Sequence, residues 1–204
     1  MMMTEAPSPR RGRGRGRRPA AEVRTEVLAT AGRLLMEEGI RAVTFERIAR
    51  EAGASKTTLY KWWPSPGALA AEAFFAESEP ALEFPETGDL HADLITQLTS
   101  FVGLLTHGGA GKPISELIGA AQTDHDVAEA WSRTYALPRR ELARVRLRKA
   151  QRSGELDSDA DLDIIVDQLW GACYHRLLVL RVPLADLDIE RLVTSALRGA
   201  GRPG

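Results

Sequence analysis

One cysteine in the whole chain, Cys173, leaves no partner for an internal disulfide and no basis for a cysteine-built zinc site, so a reducing cytoplasm is the default setting. Long apolar runs are missing too: stretches such as Leu177 to Leu180 fall far short of the roughly 20 residues that cross a bilayer, and no membrane partner is expected. The opening residues, Met1 to Arg18, are basic with no apolar block behind them, which predicts no secretory signal. Apolar-polar alternation never persists beyond a few residues, so strands have no pattern to grow from. Histidines number four, and Asp124, His125 and Asp126 are consecutive and point in different directions, so no metal site is expected. A nucleophile beside a base and a phosphate-binding glycine loop are also absent from the pattern. The chain is therefore expected to be no enzyme and to need no cofactor.

What the sequence does have is an uneven charge. The total of −1 splits at Trp63: 13 Lys+Arg against 7 Asp+Glu up to that point, and 14 against 21 beyond it. One end is suited to a polyanion. Residues 1–19 hold Arg10, Arg11, Arg13, Arg15, Arg17 and Arg18 spaced by glycines and prolines, with little apolar content to offset ordering entropy, and are expected to form a disordered basic arm.

From Ala20 onward apolar residues recur at helical spacing. Val23, Val27, Ala31 and Leu34/Leu35 share one face, and Gly39 fits the end of that helix. Thr44 can cap a second, short helix with Phe45, Ile48 and Ala49 turned inward; Ala52-Gly53-Ala54 reads as a turn, and Ser55 can cap a third helix in which Leu59 and Trp63 are the buried pair. Ser65-Pro66 then starts a helical remainder, with helices expected near 66–78, 89–106, 113–123, 126–152, 160–182 and 186–198. Pro138 is expected to kink or split the long fifth segment. The fold class is all-α, with residues 20–64 and 65–204 as two domains behind the arm.

Helix, glycine turn, helix, with the second helix polar on its outer side, is a pattern that fits the major groove of B-DNA. Lys56, Thr57, Thr58, Tyr60 and Lys61 supply ammonium, hydroxyl and phenol groups along that side. The stretch from Val23 to Leu69 resembles the N-terminal DNA-binding domain of the TetR family of bacterial transcriptional regulators. The resemblance rests on Ala31, Leu34, Leu35 and Gly39, then Thr44, Ile48 and Ala49, then Ala52-Gly53-Ala54-Ser55 and Thr58-Leu59-Tyr60. It implies a homodimer that binds a palindromic double-stranded DNA operator, acts as a repressor and is released by a small-molecule inducer. It places Lys56, Thr57, Thr58, Tyr60, Lys61 and Trp62 on the operator-contacting helix, with Thr44 near the phosphates. Two departures stand out: Pro66 occupies a position where the family usually has a phosphate-touching lysine, and Glu46 puts an acid on the DNA side. The arm residues Arg13, Arg15, Arg17 and Arg18 can replace that lost positive charge in a minor groove.

The resemblance makes residues 65–204 a ligand-binding and dimerising domain. Leu98, Phe101 and Leu105 on one helix, Trp131 and Tyr135 on another, and Trp170, Cys173 and Tyr174 on a third form the expected pocket wall, because ligand pockets are mostly apolar and concave. Leu169, Leu177, Leu180, Leu192, Val193, Ala196 and Leu197 give the last two helices an apolar set for the dimer. Arg139 to Arg152 carries seven cations against Glu141 and reads as a solvated helix face, with contact to acids of a partner subunit as the alternative. An alternative keeps DNA binding and drops the ligand, leaving a constitutive or architectural protein.

Overall fold

The computed structural model describes residues 18–78 and 84–199, and among them every regular element is helical. Helix α1 (Ala20–Glu38) carries Val27, Ala31, Leu34 and Leu35 on one face, all fully buried. It ends at Gly39, whose φ of +89° lies in the left-handed range and whose lack of a side chain admits the Glu116 carboxyl: a Cβ there would lie 2.6 Å from Oε2. A 3-10 turn, Ile40–Ala42, leads to α2 (Phe45–Glu51), started by the Thr44 hydroxyl accepting from the Arg47 N–H at 3.2 Å. Gly53, with φ +61°, turns the chain, and the Ser55 hydroxyl starts α3 (Lys56–Trp62) by accepting from the Thr58 N–H at 3.1 Å. Phe45, Ile48, Ala52, Leu59 and Trp63 are all buried in the core these helices share.

Helix α4 (Pro66–Ser78) begins where the Ser65 hydroxyl accepts from the Ala68 N–H. Its buried residues, Ala68, Leu69, Ala70, Ala71, Ala73 and Phe74, leave it apolar on most sides, and such a helix must be covered on most sides. It lies between α1 on one hand and α6 (Gly111–Ala121) and α7 (His125–Trp131) on the other. The core therefore runs on across the boundary expected after residue 64. Helices α5 (Leu90–Thr106), α8 (Leu137–Ser153), α9 (Leu162–Tyr174) and α10 (Ile189–Gly199) complete the bundle, with Asp89, Asp124 and Asp161 capping α5, α7 and α9.

The segment expected to break at Pro138 takes a wider course instead. A π turn, Ser132–Ala136, joins α7 to α8 without a gap, and Pro138 sits in the first turn of α8. Proline lacks an N–H and its ring crowds the carbonyl four residues back, which is where the π turn lies. The helix expected over 160–182 also changes form, becoming a π turn at His175–Leu180 that ends on Arg181 at φ 55°. Nothing in the sequence accounts for that second change.

Only part of the cationic row on α8 is the solvated face expected: Lys149 and Arg152 are exposed, but Arg140, Arg144 and Arg146 turn toward the bundle. Arg146 is 2% exposed and donates to Asp93 on α5 at 2.7 Å and to Glu155 at 3.0 Å. Arg140 and Arg144 both reach Asp163 on α9, and Arg140 also pairs with Asp167. Acids from the same chain thus face this row across helix contacts, which spacing along α8 alone does not reveal. The apolar set assigned to the dimer is split as well: Leu169, Val193 and Ala196 are core of the chain itself, whereas Leu180 is 52% exposed.

Candidate nucleic-acid interface and interior cavity

On α3 the inward and outward rows separate cleanly. Leu59 and Trp63 are buried, and the Trp63 Nε1–H donates to Glu72 of α4 at 2.8 Å, which fixes the end of α3 against the bundle. Lys56, Thr57, Tyr60 and Lys61 are exposed together on the other side. Tyr60, at 65% exposed, is braced edge-on by Phe45 at 4.8 Å, so its phenol projects from a fixed base. Thr58 is half-buried with its hydroxyl 2.7 Å from that of Ser55, and Trp62 is half-buried edge-on to Trp63 at 5.6 Å. Thr44 is exposed at the start of α2, its hydroxyl already holding the Arg47 N–H.

Charge on this side is partly answered within the chain. Glu46 on α2 meets Lys56 at 2.9 Å, and that ammonium holds the Glu46 carboxyl below the usual carboxylate range. Both partners are exposed, so the pair contributes little to stability. Arg18 donates to the Ala52 and Gly53 carbonyls at 2.9 and 2.7 Å, clasping the turn between α2 and α3. Arg13, Arg15 and Arg17 lie outside the described residues.

The helical bundle holds a partly open cavity of about 580 Å³ between the Ser132–Ala136 π turn, α8 and α9, with α5 and α6 contributing Phe101 and Ile118. Of the residues assigned to a pocket wall, Phe101, Trp131, Tyr135, Trp170 and Tyr174 line it. Leu98 and Cys173 do not: both are fully buried in the core, and burial pushes the Cys173 thiol up to about 11. Leu105 faces a second, more open cavity of about 920 Å³ beside residues 177–184. Helical spacing puts residues on one face; whether a void or another side chain meets that face is decided by the neighbouring helices.

Within the cavity Trp131 and Tyr135 stack at 4.5 Å, and Phe101 meets Tyr174 edge-on at 5.6 Å. Burial raises the Tyr135 and Tyr174 phenols above the ordinary tyrosine value, so both stay neutral. Arg139, Arg140 and Asp167 supply the charged part of the lining.

One contact escapes any sequence pattern. Glu116 on α6 accepts the Ile40 N–H at 2.7 Å, tying the joint between α1 and α2 to the helix whose Ile118 lines the cavity. The two residues lie 76 apart in the chain.

Comparison with known proteins agrees with this geometry. Residues 27–73 match the domain described as bacterial regulatory proteins, tetR family, and residues 84–196 match the tetracyclin repressor-like C-terminal domain. The chain is 35% identical to the uncharacterized HTH-type transcriptional regulator YdeS of Bacillus subtilis, over 91% of this chain and 93% of that protein. It is 32% identical to the DNA-binding transcriptional repressor TetR of Mycobacteroides abscessus, over 87% and 93% respectively. Among solved structures, the TetR family transcription regulator SCO0332 is 51% identical, with a TM-score of 0.81 over 89% of this chain and all of that one (100%). These relatives are transcriptional regulators and not enzymes, and no described helix here is long and apolar enough to cross a membrane. The chain, with its capped α2-turn-α3 unit ahead of a hollow helical bundle, belongs to the TetR family of helix-turn-helix transcriptional regulators.

Proposed function

We propose that this regulator is a homodimeric repressor whose paired α3 helices read a palindromic operator, and that a small molecule in the 580 Å³ cavity releases it from DNA. The reading is carried by α6, which contributes Ile118 to the cavity and Glu116 to the joint of the helix-turn-helix unit. A ligand that fits one placement of α6 better than another shifts the population of α3 placements; equal affinity for both would shift nothing. The outer side of α9 and its π turn supports the dimer, with Ile164 and Val179 at 54% and 66% exposed. Two recognition helices held roughly 34–36 Å apart meet successive major grooves on one side of the duplex. Lys56, Thr57, Tyr60 and Lys61 make the operator contacts in this reading, with Thr58 and Trp62 setting the rod and Thr44 near the phosphates. Selection from random-sequence duplexes tests it: an inverted repeat with half-sites about one turn apart is expected, and enrichment of no motif, or of a single asymmetric half-site, would contradict it.

Two variants probe the parts. Glu116→Ala leaves the half-buried Ile40 N–H without its acceptor, a loss of about 1–2 kcal/mol, and is expected to weaken operator binding about fivefold to tenfold. Glu116→Gln keeps an acceptor oxygen and is expected to restore most of it in fluorescence anisotropy titrations. Glu46→Ala removes the acid that occupies Lys56. It is expected to tighten binding to any duplex about twofold to threefold and to steepen the salt dependence by about one released counterion, measured as affinity against salt concentration.

A further inference from the structure

The helix-turn-helix unit brings little uncompensated positive charge of its own to a polyanion. Residues 18–63 hold eight Lys+Arg against six acids, while residues 1–17 hold five arginines against Glu5. Most cations of the folded part already face an acid: Arg24 pairs with Glu72, Arg33 with Glu37 and Glu51, Arg47 with Glu38 and Glu51, Arg50 with Glu51, and Lys56 with Glu46. Among the described residues of this unit, Arg41 and Lys61 have no acid beside them, and Arg18 is held by carbonyls. Exposed pairs of this kind stabilise a fold little, yet each acid cancels field that a phosphate chain would meet. The surplus that attracts DNA therefore sits ahead of residue 18.

Arg18 fixes where that surplus starts. Its Nη2 donates to the Ala52 and Gly53 carbonyls at 2.9 and 2.7 Å, on the turn that leads into Ser55, the cap of α3. A Cβ at Gly53 would stand 3.2 Å from that nitrogen, so the glycine also makes room for the clasp. The chain preceding Arg18 departs from beside the N-terminal end of the reading helix. Extended, the eight residues 10–17 reach about 26 Å, more than the half-turn of roughly 17 Å between a major groove and the minor groove next to it. Arg13, Arg15 and Arg17 alternate with glycines, which add no bulk between guanidiniums, and a narrow A·T minor groove concentrates the negative potential that such a slim basic strand fits.

We infer, granted α3 in the major groove as proposed above, that Arg13, Arg15 and Arg17 enter the minor groove bordering each half-site, favour A·T pairs there and release the larger share of the counterions, with Arg18 as the positioning residue that aims them. The operator is then read twice by each subunit, by base edges under α3 and by groove width beside it.

Anisotropy titration of the full chain on the selected operator, with the pairs bordering each half-site made A·T, G·C or I·C, tests this. Inosine lacks the 2-amino group of guanine, so I·C shows the minor groove of A·T and the major groove of G·C. Wild type is expected to bind the A·T and I·C flanks alike and about fivefold or more tighter than G·C. Arg13→Ala/Arg15→Ala/Arg17→Ala is expected to abolish that preference, to weaken operator binding about tenfold or more, and to lower the salt slope by about 3–5 for the two arms. Arg18→Ala, with those arginines kept, is expected to lose most of the flank preference while the slope falls by about 2 or less. A preference retained in Arg18→Ala would overturn its positioning role. An I·C flank that behaves like G·C, or a lowered slope with no flank preference, would put the arginines in the major groove or on phosphates and overturn the minor-groove assignment. An unchanged slope and affinity in the triple variant would overturn the inference and leave α3 as reader, whereas selection that returns no operator removes the α3 reading and the inference together.

Discussion

Asp93→Leu is expected to cost about 3–5 kcal/mol of stability and to lower the melting temperature by about 6–20 °C in thermal unfolding followed by circular dichroism. Asp93 is 1% exposed and Arg146 is 2% exposed, so removing the carboxylate leaves a guanidinium inside the bundle with only Glu155 to answer it. The Thr87 N–H and hydroxyl, which both donate to Asp93, lose their acceptor at the same time. Arg146→Met added to Asp93→Leu is expected to recover most of the loss, because the apolar pair carries no charge to desolvate. Burial alone would raise the Asp93 carboxyl, but the hydrogen bonds from Thr87 and Arg146 outweigh it and hold the group below its ordinary value. A carboxylate depressed in the folded state contributes its stability above the unfolded value, near pH 4, and loses it as pH falls through the lower folded value. The difference between wild type and Asp93→Leu is therefore expected to shrink below about pH 4. A variant that melts like wild type at neutral pH would show that this buried pair does not anchor α8 to α5.

Replacing Thr57 and Tyr60 together by alanine is expected to reduce operator affinity by about a hundredfold or more, at about 1–3 kcal/mol for each lost base-edge contact, with binding to unrelated duplexes changed little. Both side chains are exposed, three residues apart on the outer row of α3, while the packing of that helix depends on Leu59 and Trp63. The fold is accordingly expected to survive the change. Lys61→Ala is different in kind: a lysine on a phosphate weakens specific and nonspecific duplexes alike and lowers the salt slope. A Thr57→Ala/Tyr60→Ala protein that loses affinity for all sequences equally would place these residues on the backbone and not on the bases.

The capped unit was legible because its determinants are local. Thr44, Gly53 and Ser55 each act within three or four residues, and the inward row of α1 repeats every three to four. The range 66–78 for α4 follows from Ser65 and Pro66 for the same reason. Contacts between distant residues carry no such mark. Arg146 reaches Asp93 across 53 residues, and Glu116 reaches Ile40 across 76. Periodicity on α8 shows a row of cations, but only the placement of α5 and α9 turns that row into buried and half-buried ion pairs. The cavity has the same dependence: Trp131 and Tyr135 open onto a void, whereas Leu98 and Cys173, equally apolar and equally well spaced, are met by neighbours. The arm arginines at 13, 15 and 17 carry a sequence expectation that lies outside the described residues.

Guanine N7 atoms line the major groove, so their methylation by dimethyl sulfate reports directly on a helix seated there. With the selected operator bound, protection of N7 in two major grooves about one turn apart is expected, and Thr57→Ala/Tyr60→Ala should lose it at the central bases of each half-site. Protection confined to adenine N3 in the minor groove, or an unchanged N7 pattern in the variant, would contradict the assignment of α3 as the reading helix.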